Sequence, residues 1–274
     1  RDTFILVQEK INYNMLLEKF IKQIQLRHYC ISFILNLFFC FFYLQLSSQI
    51  KVQYDPKIIP IEFAVSKLEN SFGKKNKILY RDRDYHGTTI STLSAGGQDE
   101  RNAQYGPYTP GFIRVPHCLE YRAQWDLSGE EYGRRAADAI EEVILAEGAD
   151  TVGGLCLEPV TAGGGVITPP PGYWERISEI CQKYEILLHI DEVVCGVGRT
   201  GKWFGYQNFG IKPDITTLGK ALGNGFVIAA VGGRKEIMNH LTPGGKVYQA
   251  STFAGNPISV SASIASITTL NKLK

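Results

Sequence analysis

Three polar residues stand directly after apolar runs in the second half of this 274-residue sequence. Glu158 follows the run TVGGLCL, Asp191 follows ILLHI, and Lys220 follows DITTLG. Ligands of open α/β sheets bind outside the carboxyl ends of the strands, so these positions are candidates for chemistry. A carboxylate is costly to bury without a cationic partner, which makes Asp191 the most informative of the three. The alternative interpretation is that such acids cap helices or anchor loops.

Lys220 lies in the segment Gly219-Lys220-Ala221-Leu222-Gly223, which carries no other charge. Most lysines are solvated, but a lysine in a tight apolar setting can lose its proton and act as a nucleophile. Such an amine, with a carboxylate that holds a protonated ring nitrogen, meets the two demands of pyridoxal 5'-phosphate. The segment Tyr85-His86-Gly87-Thr88-Thr89 supplies an aromatic candidate for the face of the ring. The alternative is that Tyr85 is a core aromatic and that the backbone satisfies His86.

From about Lys67 onward, short apolar runs alternate with Gly/Pro turns and amphipathic stretches. This pattern predicts the elements that must position these residues. This pattern is typical of an α/β domain. Strands separated by helices imply parallel crossovers, so we expect a mostly parallel sheet with helices on both faces. The predicted strands are Lys77–Arg81, Thr151–Leu157, Ile186–Ile190, Asp214–Leu218 and Phe226–Val231, and the predicted helices are Arg134–Ala146, Tyr173–Tyr184 and Pro257–Leu270.

The N-terminal part of the chain has a different composition. No Asp, Glu, Lys or Arg occurs between Arg27 and Lys51, and the hydrophobic stretch 29–46 approaches the roughly 20 residues that cross a bilayer. The basic residues before it favour a cytoplasmic N-terminal side. A buried core element, or sequence foreign to the ancestral domain, is the alternative. We therefore divide the chain into an atypical segment, residues 1–66, and an α/β domain, residues 67–274.

Overall composition narrows the classes of function. The 29 Lys+Arg against 27 Asp+Glu argue against a nucleic-acid binder that works through bulk positive charge, and 44% hydrophobic residues argue against wholesale disorder. The six cysteines form no C-x-x-C pair, so neither a zinc site nor a disulfide scaffold is expected. Isolated cysteines in a chain of this size are mostly buried, reduced thiols.

Six motifs between Lys77 and Val260 together resemble the large domain of the class III pyridoxal-phosphate-dependent aminotransferases, a fold type I domain. Each motif alone is weak, but all six occur in the family order. They are Tyr85-His86-Gly87, Glu158-Pro159-Val160, Pro170-Pro171-Gly172-Tyr173, the run from Asp191 to Gly201 (DEVVCGVGRTG), the run from Pro213 to Lys220 (PDITTLGK), and the run from Ser251 to Pro257 (STFAGNP).

The resemblance implies a role for each matching residue of the cofactor site. Lys220 is the lysine that forms the Schiff base with pyridoxal 5'-phosphate and later moves a proton between substrate and cofactor. Asp191 pairs with the pyridine nitrogen. Tyr85, or its neighbour His86, lies over one face of the ring, and Val193 packs against the other.

Two further residues carry implications for partners. Thr252 resembles the residue that reaches the cofactor phosphate of the partner subunit, which implies a homodimer with its active site at the interface. Glu158 matches the glutamate that, in many relatives, neutralises a substrate-binding arginine when no substrate carboxylate is present. The implied substrates are a small amino donor and a keto acid.

The motifs point to two subfamilies. The stretches 162–167 and 189–196 look like the taurine:pyruvate and other omega-amino-acid:pyruvate transaminases, whereas 232–238 and 247–250 look like the glutamate-semialdehyde aminomutases. We favour the former, because the departures from it lie away from the ring. The expected reaction moves an amino group from a taurine-like omega-amino acid or amine to a keto acid such as pyruvate.

The sequence departs from the family at both ends. Residues 47–72 contain no Gly-Ser or Gly-Thr turn to hold the cofactor phosphate at a helix N-terminus. We expect the small C-terminal domain of the family to be absent and the domain 67–274 to be an incomplete large domain. A truncated, inactive homologue and a membrane-anchored binding module are therefore alternatives. The expected location is the cytoplasm, or the mitochondrial matrix in a eukaryote, with membrane association through 29–46.

Overall fold

The computed structural model describes residues 74–123, 125–241, 243–248 and 251–273. The segment 1–66, its hydrophobic stretch 29–46 and the predicted boundary at 66/67 lie outside these residues. Among the described residues, no helix combines the length and the apolar character needed to cross a membrane.

The described part of the chain contains one six-stranded sheet. Its strands are β1 Lys77–Arg81, β2 Phe112–Val115, β3 Val152–Leu157, β4 Leu187–Asp191, β5 Ile215–Leu218 and β6 Ala230–Gly233. They lie in the order β2-β1-β3-β4-β5-β6. The pairs β1–β2, β1–β3, β3–β4 and β4–β5 are parallel, and β5–β6 is antiparallel. The prediction of a mostly parallel sheet is therefore confirmed.

The helices of the described residues are α1 Ile90–Ser94, α2 Asp99–Asn102, α3 Gly129–Glu147, α4 Tyr173–Tyr184, α5 Lys235–Met238 and α6 Pro257–Lys272. Helices α3 and α4 pack with Leu79, Leu155 and Ile190 in the larger core cluster, while α5 packs with Ile78 and Ile215 on the other face. Helices therefore cover both faces of the sheet, as predicted.

The prediction of a strand at Phe226–Val231 is wrong, because that strand is β6 and begins at Ala230. The chain first makes a tight turn in which the Phe226 amide donates to the Gly223 carbonyl at 3.1 Å. A Cβ on Gly223 would lie 2.1 Å from the Phe226 carbonyl oxygen, so only glycine fits there. Phe226 and Val227 are exposed, and their apolar character misled the sequence interpretation.

Strand β2 was not predicted, because its sequence, FIRV, is short and lies in a stretch rich in glycine and proline. It is a short edge strand, and the pairing of Ile78 with Phe112 that holds it comes from β1. Helix α3 begins earlier than predicted, at Gly129, whose amide donates to the Glu120 carboxylate at 2.7 Å.

The parallel strands bring their carboxyl ends to one edge of the sheet. In the register, Leu157 lies beside Ile190, and Asp191 lies beside Thr217. The residues that follow β1, β3, β4 and β5 therefore meet at the same edge, where the sequence placed its candidate site.

Candidate active site

Asp191 is the last residue of β4, and only 8% of its side chain is exposed. Its Oδ2 lies 2.8 Å from His86 Nδ1, and its Oδ1 accepts the Val193 amide at 2.9 Å. Burial alone would raise the pKa of Asp191, but the hydrogen bond and charge of His86, together with the Val193 amide, lower it below its usual value. The site therefore holds a buried carboxylate in its ionised form.

The His86 imidazole, with 1% of its side chain exposed, is the cation that makes this possible. Burial favours the neutral ring, but Cys156 and Asp191 favour the charged one, and the pKa of His86 rises well above 6.5. Asp191 and His86 thus form a buried carboxylate–imidazolium pair at neutral pH.

Cys156 lies beside this pair, with its Sγ 3.8 Å from each ring nitrogen of His86. Burial alone would raise the pKa of this thiol, but His189 and His86 outweigh it and lower the pKa to about 7. The other described cysteines, Cys118, Cys181 and Cys195, are also buried and free, and burial raises the pKa of each. Cys156 therefore differs from the inert buried thiols that the sequence led us to expect.

Lys220 follows β5, the strand next to β4, and begins a single 3-10 turn, Lys220–Leu222. Its φ of 40° lies in the left-handed region, which costs a non-glycine residue about 1 kcal/mol or more. The side chain is exposed, whereas the sequence suggested a tight apolar setting. Next to it, a Cβ on Gly219 would lie 3.3 Å from Val193 Cγ1, so Val193 packs directly against the segment that carries the lysine.

Glu158 follows β3 and is 2% exposed. Its Oε1 accepts the Tyr85 amide at 2.9 Å, and its Oε2 accepts the Ala162 amide at 3.0 Å. Burial, reinforced by the nearby Asp84 charge, raises the pKa of Glu158 to about 7. The carboxylate thus joins two loops, and its implied role towards a substrate-binding arginine stays a prediction.

Tyr85 and Thr252 are the remaining residues of the predicted site. The Tyr85 ring faces the Arg101 guanidinium, whose Cζ lies 4.7 Å from the ring centroid. Thr252 is exposed in the turn before α6. It stays a prediction that Tyr85 or His86 lies over the cofactor ring. It also stays a prediction that Thr252 contacts the cofactor phosphate of a partner subunit.

Sequence reasoning missed the buried pair Arg81 and Asp84, both with fully buried side chains. A signal was present, because Arg81 ends the strand directly after the apolar residues Ile78, Leu79 and Tyr80, and a carboxylate follows three residues later.

The residues at this edge fit the pyridine ring of pyridoxal 5'-phosphate. A buried, ionised carboxylate can hold a protonated ring nitrogen, and Asp191 is kept ionised by contacts that leave lone pairs on both oxygens. An exposed amine stands on the neighbouring strand end at Lys220, with Val193 beside it. The arrangement therefore offers an amine, a counter-ion for the ring and an apolar contact.

A family model, aminotransferase class III, matches residues 61–274. The chain belongs to the class III aminotransferases. This confirms the family resemblance, the fold class and, since the family depends on it, the prediction of pyridoxal 5'-phosphate as cofactor.

Individual class III proteins are similar over part of their length. A hypotaurine/taurine–pyruvate aminotransferase of Paracoccus denitrificans (strain Pd 1222) is 71% identical over 154 residues, which are 56% of this chain and 33% of that protein. A glutamate-1-semialdehyde 2,1-aminomutase of Nitrosopumilus maritimus (strain SCM1) is 42% identical over 211 residues, 76% of this chain and 46% of that protein.

Solved structures in the same family share the fold. An omega transaminase from Pseudomonas jessenii, in complex with PMP, superposes with a TM-score of 0.72 at 34% identity, covering 78% of this chain and 49% of that one. The chain thus spans between a third and a half of the length of the relatives it matches.

Proposed function

We propose that this chain provides the cofactor site of a transaminase that moves an amino group from a taurine-like omega-amino acid or amine to a keto acid such as pyruvate. The observation that carries the proposal is the buried, ionised Asp191, which bonds to His86. Asp191 ends β4, and the neighbouring strand β5 leads to Lys220. The 71% identity to a hypotaurine/taurine–pyruvate aminotransferase supports this choice of substrates.

When bound, pyridoxal 5'-phosphate supplies an electron sink for the substrate carbon. Asp191 would hold the protonated pyridine nitrogen, and His86 keeps the Asp191 carboxylate ionised and fixed in orientation. Lys220 would bind the cofactor through its Nζ and, once displaced, use the same nitrogen to take and return the substrate proton. Val193 would pack against the ring.

The first test is the visible absorption spectrum of the full chain titrated with pyridoxal 5'-phosphate. We expect a saturable absorption band in the parent and in Lys212→Ala, an exposed lysine away from the site, and no such band in Lys220→Ala. A band that survives in Lys220→Ala would overturn the assignment of the lysine. No band in the parent would mean that this chain does not assemble the site.

Turnover then tests the roles. With taurine and pyruvate, Lys220→Ala should abolish alanine formation. Asp191→Asn should weaken both cofactor binding and rate, because a neutral amide cannot hold the ring nitrogen in its protonated form. Full activity in Lys220→Ala would refute the mechanism.

A second candidate, an aminomutase acting on glutamate semialdehyde, is supported by the 42% identity to the Nitrosopumilus maritimus protein. Both reactions use the same lysine and carboxylate. They differ in that an aminomutase needs no keto acid, so product formation from glutamate semialdehyde without pyruvate would favour this candidate.

Assembly and location are separate proposals. We infer a homodimer in which Thr252 approaches the partner's cofactor phosphate, to be tested by comparing the sedimentation mass and cofactor affinity of the parent with those of Thr252→Ala. A monomer that binds cofactor fully would contradict it.

For the hydrophobic stretch 29–46, we predict that residues 28–50 carry a reporter protein to membranes, and a fully soluble fusion would rule out an anchor.

A further inference from the structure

A buried polar cluster lies beneath the turn that carries His86. We call it the clasp and define it as Arg81, Asp84, Glu158 and Thr161. Arg81, Asp84 and Thr161 are fully buried and Glu158 is 2% exposed. Burying this many polar groups is unfavourable unless each is bonded, so the contacts decide what the clasp does.

Arg81 bonds to every other member of the clasp. Its Nε and Nη2 donate to Asp84 Oδ1 at 3.2 and 3.0 Å. Its Nη2 also donates to the Glu158 carbonyl at 2.7 Å and to Thr161 Oγ1 at 2.8 Å. One guanidinium at the end of β1 thus fixes the loop that follows β3.

The carboxylates of Asp84 and Glu158 connect the turn after β1 and the loop after β3 by further hydrogen bonds. Asp84 Oδ2 accepts the Glu158 amide at 2.9 Å, and Asp84 Oδ1 accepts the Thr161 hydroxyl in a short hydrogen bond. Glu158 Oε1 in turn accepts the amide of Tyr85 at 2.9 Å. The residue after Tyr85 is His86, which lies on Asp191.

We propose that the clasp positions His86 on Asp191, and that Thr161 and Glu158 are positioning residues of the cofactor site. The proposal rests on the proposed function only for its catalytic consequence, since the His86–Asp191 contact exists without cofactor. It also gives Glu158 a structural role that does not require a substrate-binding arginine.

The His86 ring reports on the clasp. The groups that face it are Asp191 from β4, Cys156 from β3 and Glu158 from the loop after β3. If the turn shifts, the bond to Asp191 lengthens and the pKa of His86 falls towards its ordinary value. Thr161→Val is the most direct perturbation, because it removes a hydroxyl of the clasp without changing any charge or the size of the side chain.

Thr151 provides a matched control. Its hydroxyl donates to the carbonyl oxygens of Glu147 and Gly148, at 3.0 and 2.8 Å. Thr151 precedes β3, at the end of that strand opposite to Glu158. Thr151→Val therefore removes a hydrogen-bonded hydroxyl, again without a change of charge, and touches neither the clasp nor the His86–Asp191 pair.

The experiment is a pH titration of the His86 ring by NMR, in the full chain without cofactor, with the signal assigned by its loss in His86→Gln. In Thr161→Val we expect the ionisation constant of His86 to change about tenfold towards the free imidazole, equivalent to the loss of one hydrogen bond. Thr161→Ser, which keeps the hydroxyl, should restore the parent value, and Thr151→Val should leave it unchanged.

An unchanged His86 titration in Thr161→Val would overturn the proposal, as would equal changes in Thr161→Val and Thr151→Val. Should Thr161→Val fail to fold, Thr161→Ala serves instead, since it removes the same hydroxyl and leaves every charge that faces His86 in place. A cofactor titration then separates the two proposals: a parent that binds no pyridoxal 5'-phosphate refutes the proposed function, while the NMR result for the clasp still stands.

Discussion

Replacing Arg81 by Met should strongly lower the free energy of unfolding. The variant leaves the Asp84 carboxylate, which is fully buried, with hydrogen bonds from Thr161 and the Glu158 amide but with no cation. Breaking a buried ion pair by removing one partner costs about 3–5 kcal/mol. The lost bond to the Glu158 carbonyl adds about 1 kcal/mol, so we expect roughly 4–6 kcal/mol in total.

Urea and thermal unfolding followed by circular dichroism measure this loss. For a domain of this size, 1 kcal/mol lowers the melting temperature by about 2–4 °C, so a fall of roughly 10–20 °C is expected. The double variant Arg81→Met/Asp84→Asn removes both charges and should recover about 1–3 kcal/mol relative to the sum of the single losses. A loss below about 1 kcal/mol in Arg81→Met, or strict additivity, would show that the pair is not the buried contact described.

Three further outcomes follow from the packing and the charges. Gly133→Ala should lower the free energy of unfolding by about 1–3 kcal/mol, because its Cβ would lie 2.0 Å from the Pro171 carbonyl oxygen. Leu145→Ala, an exposed position on the same helix, should change it by no more than about 0.5 kcal/mol. Equal losses of the two variants in urea unfolding would contradict this. The ultraviolet absorbance of the Cys156 thiolate should titrate near pH 7 and move towards 9.0 in His86→Gln, and a midpoint that does not move would exclude the thiol–imidazole interaction. The His86–Asp191 pair should contribute its full stability between about pH 4 and 6.5. The folded-state pKa of Asp191 is lowered, so its contribution is lost as pH falls, and that of His86 is raised, so its contribution is lost as pH rises. A difference in the free energy of unfolding between parent and His86→Gln that does not change with pH would refute the pair.

Much of the fold was predictable because burial leaves a periodic record in the sequence. Helix α4 matches its predicted bounds, since an apolar residue every third or fourth position marks the buried face of a helix. Strand β3, buried along its whole length, was predicted from the continuous apolar run TVGGLCL. The edge strand β2 left no such record because it is only partly buried, and Phe226–Val227 imitated a strand with residues that are exposed.

The sequence by itself determined which chemical groups are present: an acid at the end of β4, a lysine after β5 and a Tyr-His pair after β1, in the order of one family. Tertiary structure alone decided which groups touch. The bond from His86 to Asp191 joins residues 105 positions apart, and the clasp joins Arg81 to Thr161 across 80. Contacts of that range depend on strand order and register, and the ionisation of Asp191, His86 and Cys156 depends on those contacts and on burial, neither of which is local in the chain.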